Sequence, residues 1–306
     1  MSAAEVVAVA PAKINLCLGV GAPRPDGYHT LATVYQAIGV YDEVRVRPAE
    51  ADTVTVTGDE RLAVADVPTD ASNIAVRAAR LLAAHHGLAA AVAIHIVKGI
   101  PVAGGMAGGS ADAAATLVAC DALWGTRTPP EELAALAGRL GSDVPFALVG
   151  GTAVGAGHGE LVTPVPTQGE YWWVVLESPA GLSTPAVYRE IDRLRAGSGV
   201  PEPEVPAALL RALADGDPKV LGAALANDLQ PAAFRLRPEL ERNLATGLAQ
   251  APLGALLSGS GPSCLFLCDG KPGAAQLAEA LTERGLGPVS VAAGPVSGAR
   301  VVSGRS

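Results

Sequence analysis

Cysteine and long apolar runs are scarce in this 306-residue sequence. Its four cysteines, Cys17, Cys120, Cys264 and Cys268, include no C-x-x-C pair, which predicts reduced and mostly buried thiols rather than a disulfide framework. The longest charge-free run, residues 243–268, is interrupted by proline, glycine and serine, which argues against a membrane helix of about 20 apolar residues. The N-terminus has no basic segment followed by an apolar stretch, so we expect no signal peptide and a cytoplasmic protein.

Basic charge is also in deficit. Lysine and arginine total 22 against 30 aspartates and glutamates, a formal net charge of −8. This balance argues against a nucleic-acid-binding surface and against docking on an anionic membrane. Hydrophobic residues make up 49% of the chain and charged residues 17%, which predicts an ordered protein with a sizeable core. The length suffices for one large domain or two ordinary ones.

Strand and helix patterns are interleaved along the chain, which predicts an α/β (α+β) fold. Predicted strands cover residues 6–9, 13–20, 43–47, 53–57, 91–97, 171–176 and 264–268. Predicted helices cover residues 73–86, from near 110 to about 124, and 130–140, and residues 196–206 are predicted as a surface loop. A glycine-rich stretch at residues 150–159 marks a change in composition, so we expect an N-terminal domain over 1–160 and a C-terminal domain over 161–306.

The segment Pro101–Asp112 is the most informative part of the sequence. It follows a predicted strand and opens an alanine-rich helix, and four glycines within six residues leave its backbone amides uncovered. Amides at a helix N-terminus bind phosphate through their N–H groups and the positive end of the helix dipole. No lysine follows the last glycine, so the segment is not a Walker A loop, and its spacing is not G-x-G-x-x-G. The alternative is a plain glycine-rich turn with Ser110 as the helix N-cap.

Together with the helix behind it, this segment resembles the phosphate loop of the GHMP kinase superfamily, which includes galactokinases, homoserine kinases and mevalonate kinases. Four further stretches extend the resemblance across nearly the whole chain in collinear order: PAKINL at 11–16, RPDGYHTL at 24–31, LGSDVPF at 140–146 and SGSGP at 258–262. The resemblance implies a two-domain α/β (α+β) kinase with its active site between the domains. The D-G-Y-H element narrows it to the branch that phosphorylates the 2-hydroxyl of 4-diphosphocytidyl-2-C-methyl-D-erythritol, in non-mevalonate isoprenoid precursor biosynthesis.

Lys13 and Asn15 share one face of a predicted strand, because side chains alternate with period two. The apolar residues of that strand take the other face and are expected to anchor in the core: Ile14, Leu16 and Leu18. From the residues alone, Lys13 either extends to solvent or is held by a carboxylate. Asp143 is by itself a good helix N-cap. The resemblance implies that Asp143 is the general base and that Lys13 pairs with it and orients the substrate hydroxyl.

The resemblance also implies two sets of binding residues. Those for ATP are the glycine-rich loop, an asparagine and a lysine: Pro101, Val102, Ala103, Gly104, Gly105, Met106, Ala107, Gly108, Gly109, Ser110, Ala111, Asn73 and Lys98. Those for the cytidine substrate are Asn15, Tyr28, His29, Thr184 and Tyr188, with Tyr28 stacking on the base and His29 hydrogen bonding to it. Local alternatives are a turn after Asp26-Gly27 for Tyr28 and His29, and a helix N-cap for Asn73.

We therefore expect ATP with Mg²⁺ as co-substrate, with Ser110 as the one candidate metal ligand, and no tightly bound organic cofactor. The expected partners are small molecules, and the expected state is a monomer or a weak homodimer. The SGSGP stretch is expected to close the active site from the second domain, with a plain β-turn as the alternative. Two other functions stay open: a GHMP kinase for homoserine, mevalonate or a similar alcohol, and a non-catalytic nucleotide-binding regulator. The presence of both Lys13 and Asp143 argues against the regulator, because a binding protein needs no base.

Overall fold

A computed structural model describes residues 5–178 and 180–304. The strands are, in chain order, β1 (Val6–Pro23), β2 (His29–Ala49), β3 (Thr53–Gly58), β4 (Ala91–Lys98), β5 (Thr152–Ala156), β6 (Leu161–Pro164), β7 (Tyr171–Leu176), β8 (Ala226–Asn227), β9 (Gly254–Leu257), β10 (Cys264–Cys268), β11 (Val289–Gly294) and β12 (Arg300–Gly304). The α-helices are α1 (Ile74–His85), α2 (Gly108–Trp124), α3 (Pro130–Leu140), α4 (Val144–Val149), α5 (Thr184–Leu194), α6 (Ala207–Asp215), α7 (Pro218–Ala224), α8 (Gln230–Leu236), α9 (Pro238–Leu248) and α10 (Gly270–Glu283). Two short 3₁₀ turns, Glu60–Leu62 and Val64–Asp66, follow β3.

The larger sheet has eight strands, and its main order is β12-β1-β2-β4-β3. β2 is long enough to serve further neighbours, since its residues 43–49 pair with β4 and its residues 33–36 pair with β5. β6 extends the sheet beside β5, and β8 pairs in parallel with β1. The first and last strands are neighbours, because Val6 of β1 pairs with Gly304 of β12.

The smaller sheet has four antiparallel strands in the order β11-β7-β10-β9. All five residues of β10 and five of the six residues of β7 are buried. Such continuous burial is typical of strands that are covered on both faces. The indole N–H of Trp173 in β7 donates a 2.9 Å hydrogen bond to the side-chain oxygen of Gln36 in β2, so the two sheets share buried contacts.

The helix α2 lies at the centre of the first apolar cluster and packs against β1, β2 and α1. Five of its alanines have no solvent exposure: Ala111, Ala113, Ala114, Ala115 and Ala119. Their small side chains let the helix approach the sheet closely, which fixes the position of the loop in front of it. No helix within residues 5–178 and 180–304 is long and apolar enough to cross a membrane.

The mixed helix and sheet architecture is confirmed, and most predicted elements are present. The predicted strands at 53–57, 91–97, 171–176 and 264–268 and the helices at 73–86 and 130–140 correspond to β3, β4, β7, β10, α1 and α3. The prediction of separate strands at 6–9 and 13–20 is wrong, because the ladder with β2 continues through Pro11, which pairs with Tyr41 beside a register shift. The predicted strand at 43–47 is only the end of β2, and α2 begins at Gly108 rather than near Ser110.

The division of the chain at residues 160 and 161 stays a prediction. The region after residue 160 contributes three strands to the larger sheet, β6, β8 and β12, and the whole of the smaller sheet. Residues 196–206 lie between α5 and α6, where a loop is predicted.

Candidate active site

A cavity of about 580 Å³ lies between the glycine-rich loop, β1 and the start of α5. Glycines of the loop and side chains with aromatic rings both line it. The polar, charged and aromatic side chains that face it include Lys13, Asn15, Tyr28, His29, Tyr35, Asp143, His158, Thr184 and Tyr188. The fold therefore brings the two predicted catalytic residues and the five predicted substrate-binding residues to one cavity.

Lys13 and Asp143 form an ion pair at this cavity, with 3.5 Å between Lys13 Nζ and Asp143 Oδ2. Lys13 Nζ also donates a 3.1 Å hydrogen bond to Asn15 Oδ1, and Asn15 Nδ2 donates to Thr33 Oγ1 at 2.8 Å. The lysine side chain is 8% exposed, so it is held by a carboxylate and does not extend to solvent. Asp143 stands at the N-cap position of α4, yet its side chain makes no capping hydrogen bond. Its carboxylate is therefore available to the cavity.

A β-bulge in β1 changes which apolar residues share a face. Asn15 pairs with Tyr35 and Cys17 pairs with Val34, so Leu16 is an extra residue in the ladder. Ile14 and Leu16 are fully buried in the first cluster, as expected. Leu18 is buried in a core cluster, as expected, but the prediction that it shares a face with Ile14 and Leu16 is wrong. It packs in the second cluster and lines the cavity, because the bulge reverses the alternation of side chains.

His29 is held from behind by a residue that the sequence did not indicate. Its Nε2 lies 2.8 Å from Asp192 Oδ1, and its ring lies 5.0 Å from the ring of Tyr188. Thr184, Tyr188 and Asp192 are spaced by four residues along α5, which places them on one helix face. That spacing is the signal that could have identified Asp192. Burial raises the pKa of Tyr188, and the charge of Asp143 raises it further, so its hydroxyl stays protonated.

Tyr28 is 60% exposed at the mouth of the cavity. Its ring is stacked on that of His158, with 4.7 Å between the centroids and 12° between the planes. His158 Nε2 lies 3.5 Å from Asp26 Oδ2, in the turn that precedes Tyr28. No local sequence pattern singles out His158, which lies within a glycine-rich stretch far along the chain.

The glycine-rich loop has a backbone that ordinary residues adopt with difficulty. Ala103, Gly105 and Ala107 have φ angles of 54°, 76° and 59°. A Cβ on Gly105 would lie 2.3 Å from the carbonyl oxygen of Ser258, whose hydroxyl donates a 3.0 Å hydrogen bond to the Gly105 carbonyl. The predicted closing turn at 258–262 therefore packs directly on the loop. Ser110 is the third residue of α2 and does not cap it.

A second cavity of about 290 Å³ lies behind the loop and is lined in part by Asn73, Lys98 and Asp112. Asn73 caps α1, since its Oδ1 accepts a 2.8 Å hydrogen bond from the amide of Ala75. Its Nδ2 donates to the carbonyl of Pro68 at 2.6 Å. The local alternative for Asn73 is thus present, and both polar atoms of its side chain have protein partners.

Lys98 forms a buried tie with two carboxylates, Asp42 in β2 and Asp112, the fifth residue of α2. Lys98 Nζ lies 2.8 Å from Asp112 Oδ2, and the lysine side chain is only 2% exposed. Asp42 Oδ1 also accepts hydrogen bonds from the amides of Gly99 and Ile100 at 2.7 and 2.9 Å. The nucleotide-binding role implied for Lys98 is therefore accompanied by a structural one, which joins β2, the end of β4 and the start of α2.

Burial lowers the pKa of Lys98, but the carboxylates of Asp112 and Asp42 outweigh that effect and raise it overall. Burial raises the pKa of Asp112 well above its usual range; Lys98 opposes this and Asp42 adds to it. Asp112 Oδ1 is buried with no hydrogen-bond partner. The tie thus holds two carboxyl groups against one ammonium group.

Within the described ranges, no group of three or more histidine, cysteine, aspartate or glutamate side chains is placed to hold a metal ion. His85 and His86 contact protein side chains, since their Nε2 atoms lie 2.7 Å from Glu132 and 2.8 Å from Thr128.

The fold and the cavity together define a small-molecule kinase: a glycine loop before a helix, and a lysine–aspartate pair beside it.

Comparison with known proteins agrees with this class. The family models described as GHMP kinases N terminal domain and GHMP kinases C terminal match residues 73–151 and 209–286. A 4-diphosphocytidyl-2-C-methyl-D-erythritol kinase from Nocardioides sp. strain JS614 is 56% identical over 295 residues, covering 96% of this chain and 99% of that protein. A crystal structure of a 4-(cytidine 5'-diphospho)-2C-methyl-D-erythritol kinase has a TM-score of 0.76 and 35% identity, covering 94% of this chain and 98% of the other.

A homoserine kinase from Cytophaga hutchinsonii has a TM-score of 0.75 but only 18% identity, covering 97% of each chain, so it shows the fold alone. The chain belongs to the GHMP kinases and, within them, to the 4-diphosphocytidyl-2-C-methyl-D-erythritol kinase family. As a member of this family it is an enzyme that uses ATP as its co-substrate.

Proposed function

We propose that this chain transfers the γ-phosphoryl group of ATP to the 2-hydroxyl of 4-diphosphocytidyl-2-C-methyl-D-erythritol, a step of non-mevalonate isoprenoid precursor biosynthesis. The observation that carries the proposal is the Lys13–Asp143 pair in a cavity that is lined both by the glycine loop and by aromatic rings. A kinase needs little covalent chemistry from the protein, so the geometry must position two substrates and stabilise charge. The names of the two similar kinases support this choice of acceptor.

Asp143 accepts the proton of the substrate hydroxyl as that oxygen forms its bond to the γ-phosphorus. The bond from the γ-phosphorus to the bridging oxygen breaks at the same time, and ADP leaves with the electron pair. Lys13, 3.5 Å from Asp143 Oδ2, pairs with the carboxylate and offers its remaining N–H donors to the reacting oxygens. Asn15 holds Lys13 in place, and Thr33 holds Asn15.

The glycine loop binds the phosphates of ATP through its amides and the N-terminus of α2. Gly104, Gly105, Gly108 and Gly109 line the cavity, so no Cβ atom there separates the ligand from the backbone. We propose that Ser110, in the first turn of α2, holds the Mg²⁺ that accompanies ATP. A magnesium ion that keeps several waters and binds mainly to substrate phosphates needs few protein ligands, which fits this donor set. When bound, it neutralises phosphate charge.

The cytosine ring is bound by Tyr28, His29 and the face of α5 that carries Thr184 and Tyr188. With His29 Nε2 donating to Asp192, His29 Nδ1 is the hydrogen-bond acceptor of the ring. An exocyclic amino group is the donor that such an acceptor selects, and cytosine has one.

We further propose a cytoplasmic location, a monomer or weak homodimer, and no nucleic-acid or membrane partner.

The test is ADP release in a coupled assay with Mg-ATP and 4-diphosphocytidyl-2-C-methyl-D-erythritol. Asp143→Asn and Lys13→Ala are expected to lower kcat by at least about 100-fold, because each removes part of the reacting constellation. The matched controls are Asp215→Asn and Lys219→Ala, which make the same changes at exposed positions. We expect both controls to retain wild-type kcat.

Homoserine and mevalonate serve as competing acceptors in the same assay. Turnover with either of them, and none with the cytidine compound, would refute the proposed substrate. Full turnover by Asp143→Asn would leave the kinase in place and remove Asp143 as its base. ATP binding without ADP release from any acceptor would favour a nucleotide-binding regulator.

A further inference from the structure

Tyr35 lies beside the catalytic pair but was not indicated by the sequence. It stands in β2 opposite Asn15, and its side chain lines the cavity together with Asp143. Lys13 Nζ lies 5.1 Å from the centre of its ring. Phe146 of α4 packs against the other side, with 5.0 Å between the ring centroids. The Tyr35 ring is therefore held between the strand that carries Lys13 and the helix that follows Asp143.

The hydroxyl of Tyr35 is also held in one place. A Cβ on Gly159 would lie 2.2 Å from the hydroxyl oxygen, so a larger residue there would displace the hydroxyl. Burial raises the pKa of Tyr35 well above its usual range, and the neighbouring Asp143, Tyr188 and Glu160 raise it further. The hydroxyl therefore keeps its proton and can act as a hydrogen-bond donor in the cavity that Asp143 also lines. The cation beside the Tyr35 ring is Lys13, whose Nζ lies 5.1 Å from the ring centre.

Lys13 Nζ lies 3.5 Å from Asp143 Oδ2. A single ion pair at this distance leaves the carboxylate free to rotate about its own bond, and the side chain makes no capping hydrogen bond that would fix it. A second donor on a rigid ring would determine which lone pair faces the substrate. Tyr35 is a side chain of the right kind in the right place, since its ring has two fixed neighbours.

We propose that Tyr35 is a positioning residue for the phosphoryl transfer: its hydroxyl donates a hydrogen bond to the Asp143 carboxylate and orients it towards the acceptor hydroxyl. This inference rests on the proposed function, because it gives Asp143 the role of base. The ring and the hydroxyl have separate roles. The ring packs against Lys13 and Phe146, and the hydroxyl orients the base.

Tyr35→Phe tests the hydroxyl alone, because it keeps the ring beside Lys13 and Phe146. We expect kcat to fall about tenfold, the range for a lost hydrogen bond to a charged group. The KM for ATP should stay within about twofold, since the glycine loop is not touched. The acidic limb of the kcat profile should move up by about one pH unit, because a carboxylate that loses a donor takes up a proton more readily.

The matched control is Tyr171→Phe, which deletes a buried hydroxyl that has no hydrogen-bond partner and lies in the smaller sheet. It should leave kcat and the acidic limb unchanged. Site-specific 3-fluorotyrosine at position 35 supplies a stronger donor in the same place, and should move the acidic limb down rather than up. Far-UV circular dichroism and thermal unfolding confirm that each variant is folded.

An unmoved acidic limb in Tyr35→Phe overturns the inference, even if kcat falls, because the hydroxyl would then act through packing. A change in KM for ATP with kcat retained overturns it as well. The wild-type enzyme tests the proposed function separately. If it phosphorylates another alcohol, the proposed substrate is wrong. The ratio of the kcat of Tyr35→Phe to that of the wild type, measured with that alcohol, still decides the role of Tyr35.

Discussion

Replacing Lys98 with methionine is expected to destabilise the fold by about 3–5 kcal/mol at pH 7, because the change leaves two buried carboxyl groups without their cation. The side chains of Lys98, Asp42 and Asp112 are at most 3% exposed, so solvent cannot take over the role of the ammonium group. Methionine fills a similar volume, and the loss therefore reports the charge and not a cavity.

The loss of stability in Lys98→Met is expected to depend on pH. Burial raises the pKa of Asp112, so in the variant this carboxyl takes up a proton as the pH falls, which relieves the repulsion, and the loss should shrink between pH 7 and pH 5. In the wild type, the pKa of Lys98 is raised in the folded state. Its contribution is then complete below the unfolded value, near 10.4, and is lost only as the pH rises through the folded value. The pKa of Asp112 is also raised in the folded state, so its contribution to stability is likewise present at low pH and is lost as the pH rises through its folded value.

The measurement is urea unfolding followed by circular dichroism at pH 5, 6 and 7, for the wild type and for Lys98→Met. Lys219→Met is the control, since Lys219 is exposed at the start of α7, and it should change stability by no more than about 0.5 kcal/mol. A loss below about 1 kcal/mol, or a loss of the same size at all three pH values, would refute the reasoning. The KM for ATP should also rise in Lys98→Met, because the tie joins the start of α2 to β2.

Two other changes test the substrate side and the phosphate side of the site. Asp192→Ala removes the partner of His29 Nε2, so the KM for the cytidine substrate should rise about fivefold while the KM for ATP stays constant; equal rises in both would contradict the assignment of His29. Gly105→Ala places a Cβ 2.3 Å from a backbone oxygen and should abolish ATP binding in calorimetry. Gly285→Ala has a similar φ of +63° with nothing within 4 Å, and should lose only about 1 kcal/mol of stability.

Elements that depend on local periodicity could be predicted from the sequence. The helix Pro130–Leu140 and the strands Tyr171–Leu176 and Cys264–Cys268 have the predicted bounds, since an amphipathic repeat or a short apolar run is a local property. The bulge at Leu16 could not be predicted, because it depends on how β1 pairs with β2. One extra residue was enough to bring Leu18 to the cavity face.

The same distinction applies to the site. Lys13, Asp143, Tyr28 and His29 stand in short motifs that a reader can recognise in the sequence. Partners from distant segments have no such motif: Asp42 is 56 residues from Lys98, and Asp192 is 163 residues from His29. A lysine before a glycine loop suggests a phosphate cation when only its neighbours in sequence are considered. The surrounding fold adds the two carboxylates that also make Lys98 a structural tie.

The chain order of the strands has a mechanical consequence. The polypeptide leaves the larger sheet after β6, returns as β8, leaves again for β9, and returns once more as β12. The two sheets are therefore joined by four separate connections of the polypeptide. A cut in the exposed loop at residues 196–206 would break one of these connections and leave three, so a nicked chain should keep its two sheets together.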